Sequence, residues 1–251
     1  MSEADAAGPA DGREVEVSLV LPAYNEQECI AATLDEAFAV LERLGRPFEV
    51  LAIDDGSTDG TPGLLADYRR RKPALRVLRV TPNSGQSAAF GIGFRHARGR
   101  AVVLMDADGQ NDPADIPKLI DALAGDCDLC CGYRAVRRDT LSKRWGSRFG
   151  NAVRNAVLHD GIIDTGCSLK AMRTDLVRDL PMALRGMHRF LPVLLMMKGA
   201  RVRQIPVNHR PRAGGRSKYT NFRRLMDTRS DLWAVRWMQK RYRRFTATEV
   251  P

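Results

Sequence analysis

From residue 15 onward, short apolar runs alternate with longer segments whose apolar residues recur at helical spacing. "EVSLVLPAY" precedes a helical stretch from about Glu26 to Leu44, and "FEVLAIDDGS" precedes a helix through "GLLADYRRR". "LRVLRV" leads into "SGQSAAFGIGFRHA", "AVVLMDAD" into "PADIPKLIDALAG", and "CDLCCGYR" closes the series. Val-, Leu- and Ile-rich strands separated by helices predict βαβ units, an α/β fold with a mostly parallel sheet covered on both faces. Two more segments have helical rhythm, 141–158 and 221–245, each mixing apolar and basic positions. The first fourteen residues are small, acidic and aperiodic, which predicts a disordered tail and no signal peptide. The organisation expected is therefore a tail over 1–14, one domain over 15–220, and a basic amphipathic helix over 221–251.

Polar residues punctuate the strand ends in a consistent way. The first strand ends in "PAYNE", the second in "DDGSTDGT" and the fourth in "DADGQ". In an open α/β sheet, ligands bind in the crevice outside the carboxyl ends of the strands. Singly, "DADG" and "DDGS" are ordinary turn sequences, since Asp and Gly suit turns. At successive strand ends they favour a site. Asp106 and Asp108, one residue apart, cannot both sit ionised and unpaired in a partly buried cleft; their pKa values rise or a cation joins them. Mg²⁺ or Mn²⁺ takes one or two carboxylates and completes its shell with water and phosphate oxygens, and Gln110 adds a neutral oxygen.

Charge changes the picture at the other end of the chain. The net charge is +10, but Arg201 to Phe245 holds fourteen Lys or Arg against two Asp, so the remainder is slightly acidic. Such a basic end calls for an anionic partner: phosphate, nucleic acid or a lipid surface. Within it, Gly214 and Gly215 lie among Arg210, Arg212, Arg216 and Lys218, a composition suited to a loop that closes over a diphosphate. Leu225, Leu232, Trp233 and Trp237 are expected to gather apolar surface on the last helix, with arginines turned to headgroups; the alternative is that this helix packs on the preceding domain or on a partner chain. No run of apolar residues is long enough to cross a bilayer. The cysteines at 29, 127, 130, 131 and 167 form no zinc pattern and read as small buried groups. No P-loop is present, and "GIGF" at 91–94 lies inside a helical pattern.

The ordered succession "VSLVLPAYNE", "LAIDDGSTDGT", "NSGQSAAFGIGF", "VVLMDADGQNDP", "GYR", "DTGCSLKAMR" and "VNHRPRAGGRSKY" resembles family 2 glycosyltransferases of the GT-A fold, Rossmann-like in architecture. Within that family it is most similar to the dolichol-phosphate mannose synthase-like group, which glycosylates polyprenyl phosphates. The resemblance spans about residues 15–225. It implies inverting transfer from a UDP- or GDP-linked sugar to a polyprenyl phosphate, at the cytoplasmic face of an anionic membrane, without nucleic acid and with an oligomer allowed. It implies that Pro22, Tyr24 and Glu26 surround the nucleotide, and that Ile53 and Asp55 contact its base. Asp106, Ala107, Asp108 and Gln110 then meet metal and diphosphate, with Mg²⁺ or Mn²⁺ as cofactor. Arg134 faces the acceptor phosphate, helped by Lys143, Arg144 and Ser147, while Arg212, Ser217 and Lys218 close over the phosphates. His188 or Arg189 also falls near them.

One departure bears on mechanism. Related enzymes often carry a Glu in the helix before "KG", whereas "MHRFLPVLLMMKG" has no acid and is expected to leave an apolar surface at Pro192 and Leu194. A phosphomonoester is already anionic and needs no base to attack, so the departure favours a phosphate over a hydroxyl acceptor. Alternative readings are a family 2 enzyme acting on a polysaccharide, or a non-catalytic basic protein that binds anions or nucleic acid. The binder leaves the strand-end acids without a purpose, and aromatic residues for base stacking are few.

Overall fold

The computed structural model describes residues 14–135, 141–211 and 221–245; over 141–149 and 221–228 it describes the backbone alone. Seven strands form one sheet: β1 (Val17–Ala23), β2 (Phe48–Asp54), β3 (Leu75–Arg79), β4 (Ala101–Leu104), β5 (Leu129–Arg134), β6 (Lys170–Arg173) and β7 (Val202–Val207). Their order is β3-β2-β1-β4-β6-β5-β7. The helices are α1 (Ile30–Leu44), α2 (Thr61–Arg71), α3 (Gln86–His96), α4 (Ile116–Ala124), α5 (Leu141–Leu158), α6 (Thr174–Val177), α7 (Leu191–Met197) and α8 (Asn221–Arg241).

The β3-β2-β1-β4 half is parallel throughout, as the alternation of strand and helix predicts. β6 is the departure: it lies between β4 and β5 and runs antiparallel to both, while β5 and β7 pair in parallel. The chain returns to the sheet at the end where β4 and β5 finish, so Lys170, the first residue of β6, sits opposite both Leu104 and Cys131. Four residues, "KAMR", are too short to announce a strand in a linear pattern. The consequence is functional. The segment just before β6 is delivered to the strand-end crevice, beside the residues that follow β4 and β5.

Side chains alternate across the pleat and fill a core on each face. Leu19 and Leu21 of β1 pack with Leu34, Phe38 and Leu41 of α1, Leu65 of α2 and Leu119 of α4. On the other face Val20, Leu51 and Val102 pack with Phe90 and Phe94 of α3, Leu191 to Leu195 of α7, and Leu232 and Val235 of α8. α3 rides close on β1 because Gly93 has no side chain; a Cβ there would come within 2.3 Å of Val20 Cγ1. That approach sets the height of the α3 N-terminus above the crevice.

Two expectations are corrected here. α1 starts at Ile30, not near Glu26: Asn25 turns with φ +52°, Glu26 N–H donates to Thr61 Oγ1 at 2.9 Å, and Glu26 O accepts the first helical bond from Ile30 N–H at 2.9 Å. On α8, Leu232 does not join the tryptophans: it is buried with Val235, while Trp233 and Trp237 stand 64 % and 62 % exposed on the other side. Helical geometry turns successive residues by about 100°, so neighbours in sequence can serve opposite faces. Pro192 and Leu194 are likewise buried, not part of an apolar surface, since α7 buries Leu191 to Leu195 in succession.

Candidate active site

The loops after β1 and β2 are joined to each other. Asn25 N–H donates to Ser57 Oγ at 2.9 Å, Thr58 N–H to Asn25 Oδ1 at 2.8 Å, and Gly60 N–H to Gln27 Oε1 at 2.8 Å. This leaves Pro22, Tyr24 and Glu26 half-buried at the end of β1. Asp55 is buried, and its carboxylate accepts from Ser84 N–H and Gly85 N–H at 2.8 Å each and from Asn83 Nδ2 at 3.0 Å. It therefore pins the "NSG" turn that starts α3. Ile53 is fully buried on the α3 side, so its side chain lies within the core and not at the strand-end surface.

After β4 the chain turns through Asp106, Ala107, Asp108 and Gln110. Gln86, the first residue of α3, donates from Nε2 to Asp106 Oδ1 at 2.8 Å. Asp106 N–H donates to Asn111 Oδ1 at 3.0 Å, and Ser168 Oγ donates to the same oxygen at 2.8 Å. Asp108 Oδ1 accepts from Gln110 N–H at 3.1 Å. Ala107 is buried, with its carbonyl accepting from Thr33 Oγ1 at 3.2 Å. Loss of water around the Asp106 carboxyl, with the like charge of Asp108 second, pushes it up to about 6. The hydrogen bond from Ser168, the charge of Lys170 and the bond from Gln86 oppose this; Lys170 is 2 % exposed and its ammonium binds Cys167 O.

Two acids that repel one another at a strand end suit a hard divalent cation, and Asp106, Asp108 and Gln110 could supply oxygen ligands to one. No group of three or more His, Cys, Asp or Glu that could hold a metal occurs among the described residues. Two carboxylates are enough for an ion that takes its other ligands from water and phosphate. The sign of the titration gives a test. A carboxyl raised from 3.8 to about 6 contributes fully to folding below pH 3.8, and that contribution is lost as pH rises through 6. A cation replaces the proton. Mn²⁺ is therefore expected to raise the melting temperature more at pH 7.5 than at pH 5; equal shifts at both would remove the ion from this pair.

Arg134 closes β5 and meets Asp164, from the segment before β6: Nε at 2.7 Å from Oδ2 and Nη2 at 2.9 Å from Oδ1. At the N-terminus of α3, Ser87 Oγ and His188 Nδ1 lie 2.8 Å apart, so His188 stands beside the helix end that carries Gln86. Lys143, Arg144 and Ser147 lie on the first half of α5, where the backbone alone is described. Arg212, Ser217 and Lys218 lie outside the described residues. The segment that follows β7 and leads to them is tied to the chain after β4: Arg210 N–H donates to Gln110 O at 3.0 Å and its guanidinium to Asp112 Oδ1 at 2.8 Å.

Sequence reading missed Gln86, Asn111, Asp164, Ser168 and Lys170. Their signal was present only as polar residues opening or closing apolar runs, in "SGQS", "DGQND" and "DTGCSLK". All five cysteines are buried free thiols, with Cys130 and Cys131 pushed up to about 12 by burial, in keeping with their reading as apolar filler.

Residues 18–180 match the family model described as glycosyl transferase family 2. The undecaprenyl-phosphate 4-deoxy-4-formamido-L-arabinose transferase of Pseudomonas aeruginosa (strain LESB58) is 37 % identical over 210 residues, covering 83 % of this chain and 62 % of that protein. The dodecaprenyl-phosphate galacturonate synthase of Rhizobium johnstonii is 33 % identical over 233 residues, covering 90 % and 69 %. The chain thus spans about 62 % of the length of the first of these relatives. Among solved structures, a Pyrobaculum calidifontis mannosyltransferase in complex with GDP-Man and Mn²⁺ superposes with a TM-score of 0.63 at 21 % identity, covering 94 % of this chain and 66 % of that one. Glucosyl-3-phosphoglycerate synthase from Mycobacterium tuberculosis, with Mn²⁺ and UDP, gives 0.67 at 18 %, covering 91 % and 80 %. At such identities the likeness carries the fold.

Proposed function

We propose, from the premise that this chain belongs to glycosyl transferase family 2, that it transfers a sugar from a nucleotide-diphosphate sugar to a polyprenyl phosphate. The relatives act on undecaprenyl- and dodecaprenyl-phosphate, and the solved neighbours hold GDP-Man in one case and UDP in the other. The observation that carries the reading is the pairing of two unlike sites along one sheet edge: the repelling carboxylates after β4, and the clamped Arg134 at the end of β5.

Asp106, Asp108 and Gln110 would hold Mg²⁺ or Mn²⁺, which when bound neutralises the charge of the departing nucleoside diphosphate. Gln86 keeps the Asp106 carboxyl turned to that role through its 2.8 Å hydrogen bond. Pro22, Tyr24, Glu26, Asp55 and Ala107 form the nucleotide side in this reading, with Ile53 behind them in the core; Arg212 and Lys218 supply positive charge, and Ser217 a hydroxyl, to the diphosphate. Arg134, with Lys143, Arg144 and Ser147, receives the acceptor phosphate and aims its oxygen at the anomeric carbon. Attack from the face opposite the leaving group inverts that carbon. No acid occurs between Met187 and Gly199 to serve as a base, and an anionic phosphate needs none.

The acceptor is a membrane lipid in this reading, and among the described residues no helix is long and apolar enough to cross a membrane. We infer peripheral contact with the anionic cytoplasmic surface through the exposed face of α8. The test of the reaction is transfer to a short-chain polyprenyl phosphate from a panel of UDP- and GDP-sugars, with Mg²⁺, Mn²⁺ or EDTA. A lipid-linked product from one donor that EDTA abolishes is expected. Donor binding with no lipid product under any metal would overturn the acceptor.

A further inference from the structure

We propose that Asp164 is a positioning residue for Arg134, and that Gly166 is required so that the pair can close. The inference rests on the reading of Arg134 as the arginine that meets the acceptor phosphate. Arg134 ends a strand, where a long side chain has several staggered rotamers to choose from. Asp164 removes that freedom at two levels. Its Oδ2 accepts from Arg134 Nε at 2.7 Å and also from Arg134 N–H at 3.3 Å, while Oδ1 accepts from Nη2 at 2.9 Å. Gly166 N–H adds a fourth donor, to Oδ1 at 3.1 Å.

Both partners are largely removed from solvent, with side chains 14 % and 6 % exposed for Arg134 and Asp164. A bidentate carboxylate fixes the plane of a guanidinium as well as its position. The Nε–Nη2 edge is committed to Asp164, so a phosphate approaching this arginine meets it from a set direction. An arginine aimed before the substrate arrives loses less entropy when it binds. Gly166 belongs to the same device: a Cβ there would stand 2.9 Å from Arg134 Nη2 and 3.4 Å from Asp164 Oδ1.

That clash is with the far end of a flexible side chain, so Gly166→Ala can be relieved by moving the guanidinium without disturbing the backbone. It therefore complements Asp164→Asn, which removes a buried charge and puts folding at greater risk.

The experiment measures KM for donor and acceptor separately in Asp164→Asn, Gly166→Ala, Arg134→Ala and the two double variants, with thermal melts of each. Each of the first two is expected to raise the acceptor KM by about tenfold and leave the donor KM within about twofold. In the Arg134→Ala background neither should add to the defect, since each acts through that arginine. Equal effects on both substrates, or full additivity with Arg134→Ala, would overturn the positioning role and leave an ordinary structural ion pair. An Arg134→Ala enzyme with unchanged acceptor KM overturns the reading of Arg134 and the inference with it. A clear Arg134→Ala defect with no effect from Asp164 or Gly166 overturns the inference alone.

Discussion

The Asp108→Asn protein is expected to fold as the parent does and to transfer sugar about a thousandfold more slowly, the range seen when a main electrostatic stabiliser is removed. Asp108 is half-exposed in the turn after β4, and its Oδ1 accepts from Gln110 N–H at 3.1 Å, which an Asn oxygen can do equally well. The turn should therefore survive, with a melting temperature changed by no more than a few degrees. What goes is one of two negative charges proposed to hold the divalent ion. Without the like charge beside it, Asp106 also ionises more readily, so the loss of activity cannot be recovered by raising the pH. Turnover at a range of Mn²⁺ concentrations, with a thermal melt of the same sample, checks both halves. Near-normal turnover would sink the metal assignment.

Replacing Trp233 and Trp237 together with alanine is expected to cut binding to anionic vesicles by about thirtyfold while leaving the fold and donor binding in place. Trp233, Trp237 and Phe245 are exposed by 64 %, 62 % and 89 %, and Arg229, Lys240, Arg241, Arg243 and Arg244 are exposed near them. Indoles with interspersed cations are the composition of a helix that lies in the membrane interface. Two indoles contributing on the order of 1 kcal/mol each correspond to that loss. The opposite face of α8 holds Leu232 and Val235 in the core, so the substitutions leave its docking intact. Co-sedimentation with vesicles at low and high salt separates the contributions. The basic residues give a part that salt screens, and the tryptophans a part that persists. Equal binding by parent and variant would show that α8 does not face the lipid.

How far the site was legible can be seen residue by residue. Asp106 and Asp108 stood out because a buried strand running into paired acids is locally anomalous, and the anomaly needs no partner to be noticed. Arg134 was reached only through resemblance, since a single arginine after an apolar run carries no pattern of its own. Asp164, thirty residues away, carried still less. Its meaning arises when β6 enters antiparallel between β4 and β5 and sets "DTG" against the end of β5. Gln86 was hidden in the same way: it opens a helix as any polar residue could, and becomes notable because Gly93 lets α3 sit low on β1.

The sequence by itself determined the alternation of strands and helices, the sheet buried on both faces, and the acids at the strand ends. These are properties of period, two for strands and 3.6 for helices, and a period is written in adjacent residues. It also determined that the last helix mixes tryptophan with cations. Only the tertiary structure decided the direction of β6, the start of α1 at Ile30, and which side of α8 meets the core. Each depends on pairing between segments far apart in the chain. Such pairing is settled by what packs and hydrogen-bonds in space: Glu26 bonded to Thr61, Leu232 in the core, and Asp164 against Arg134.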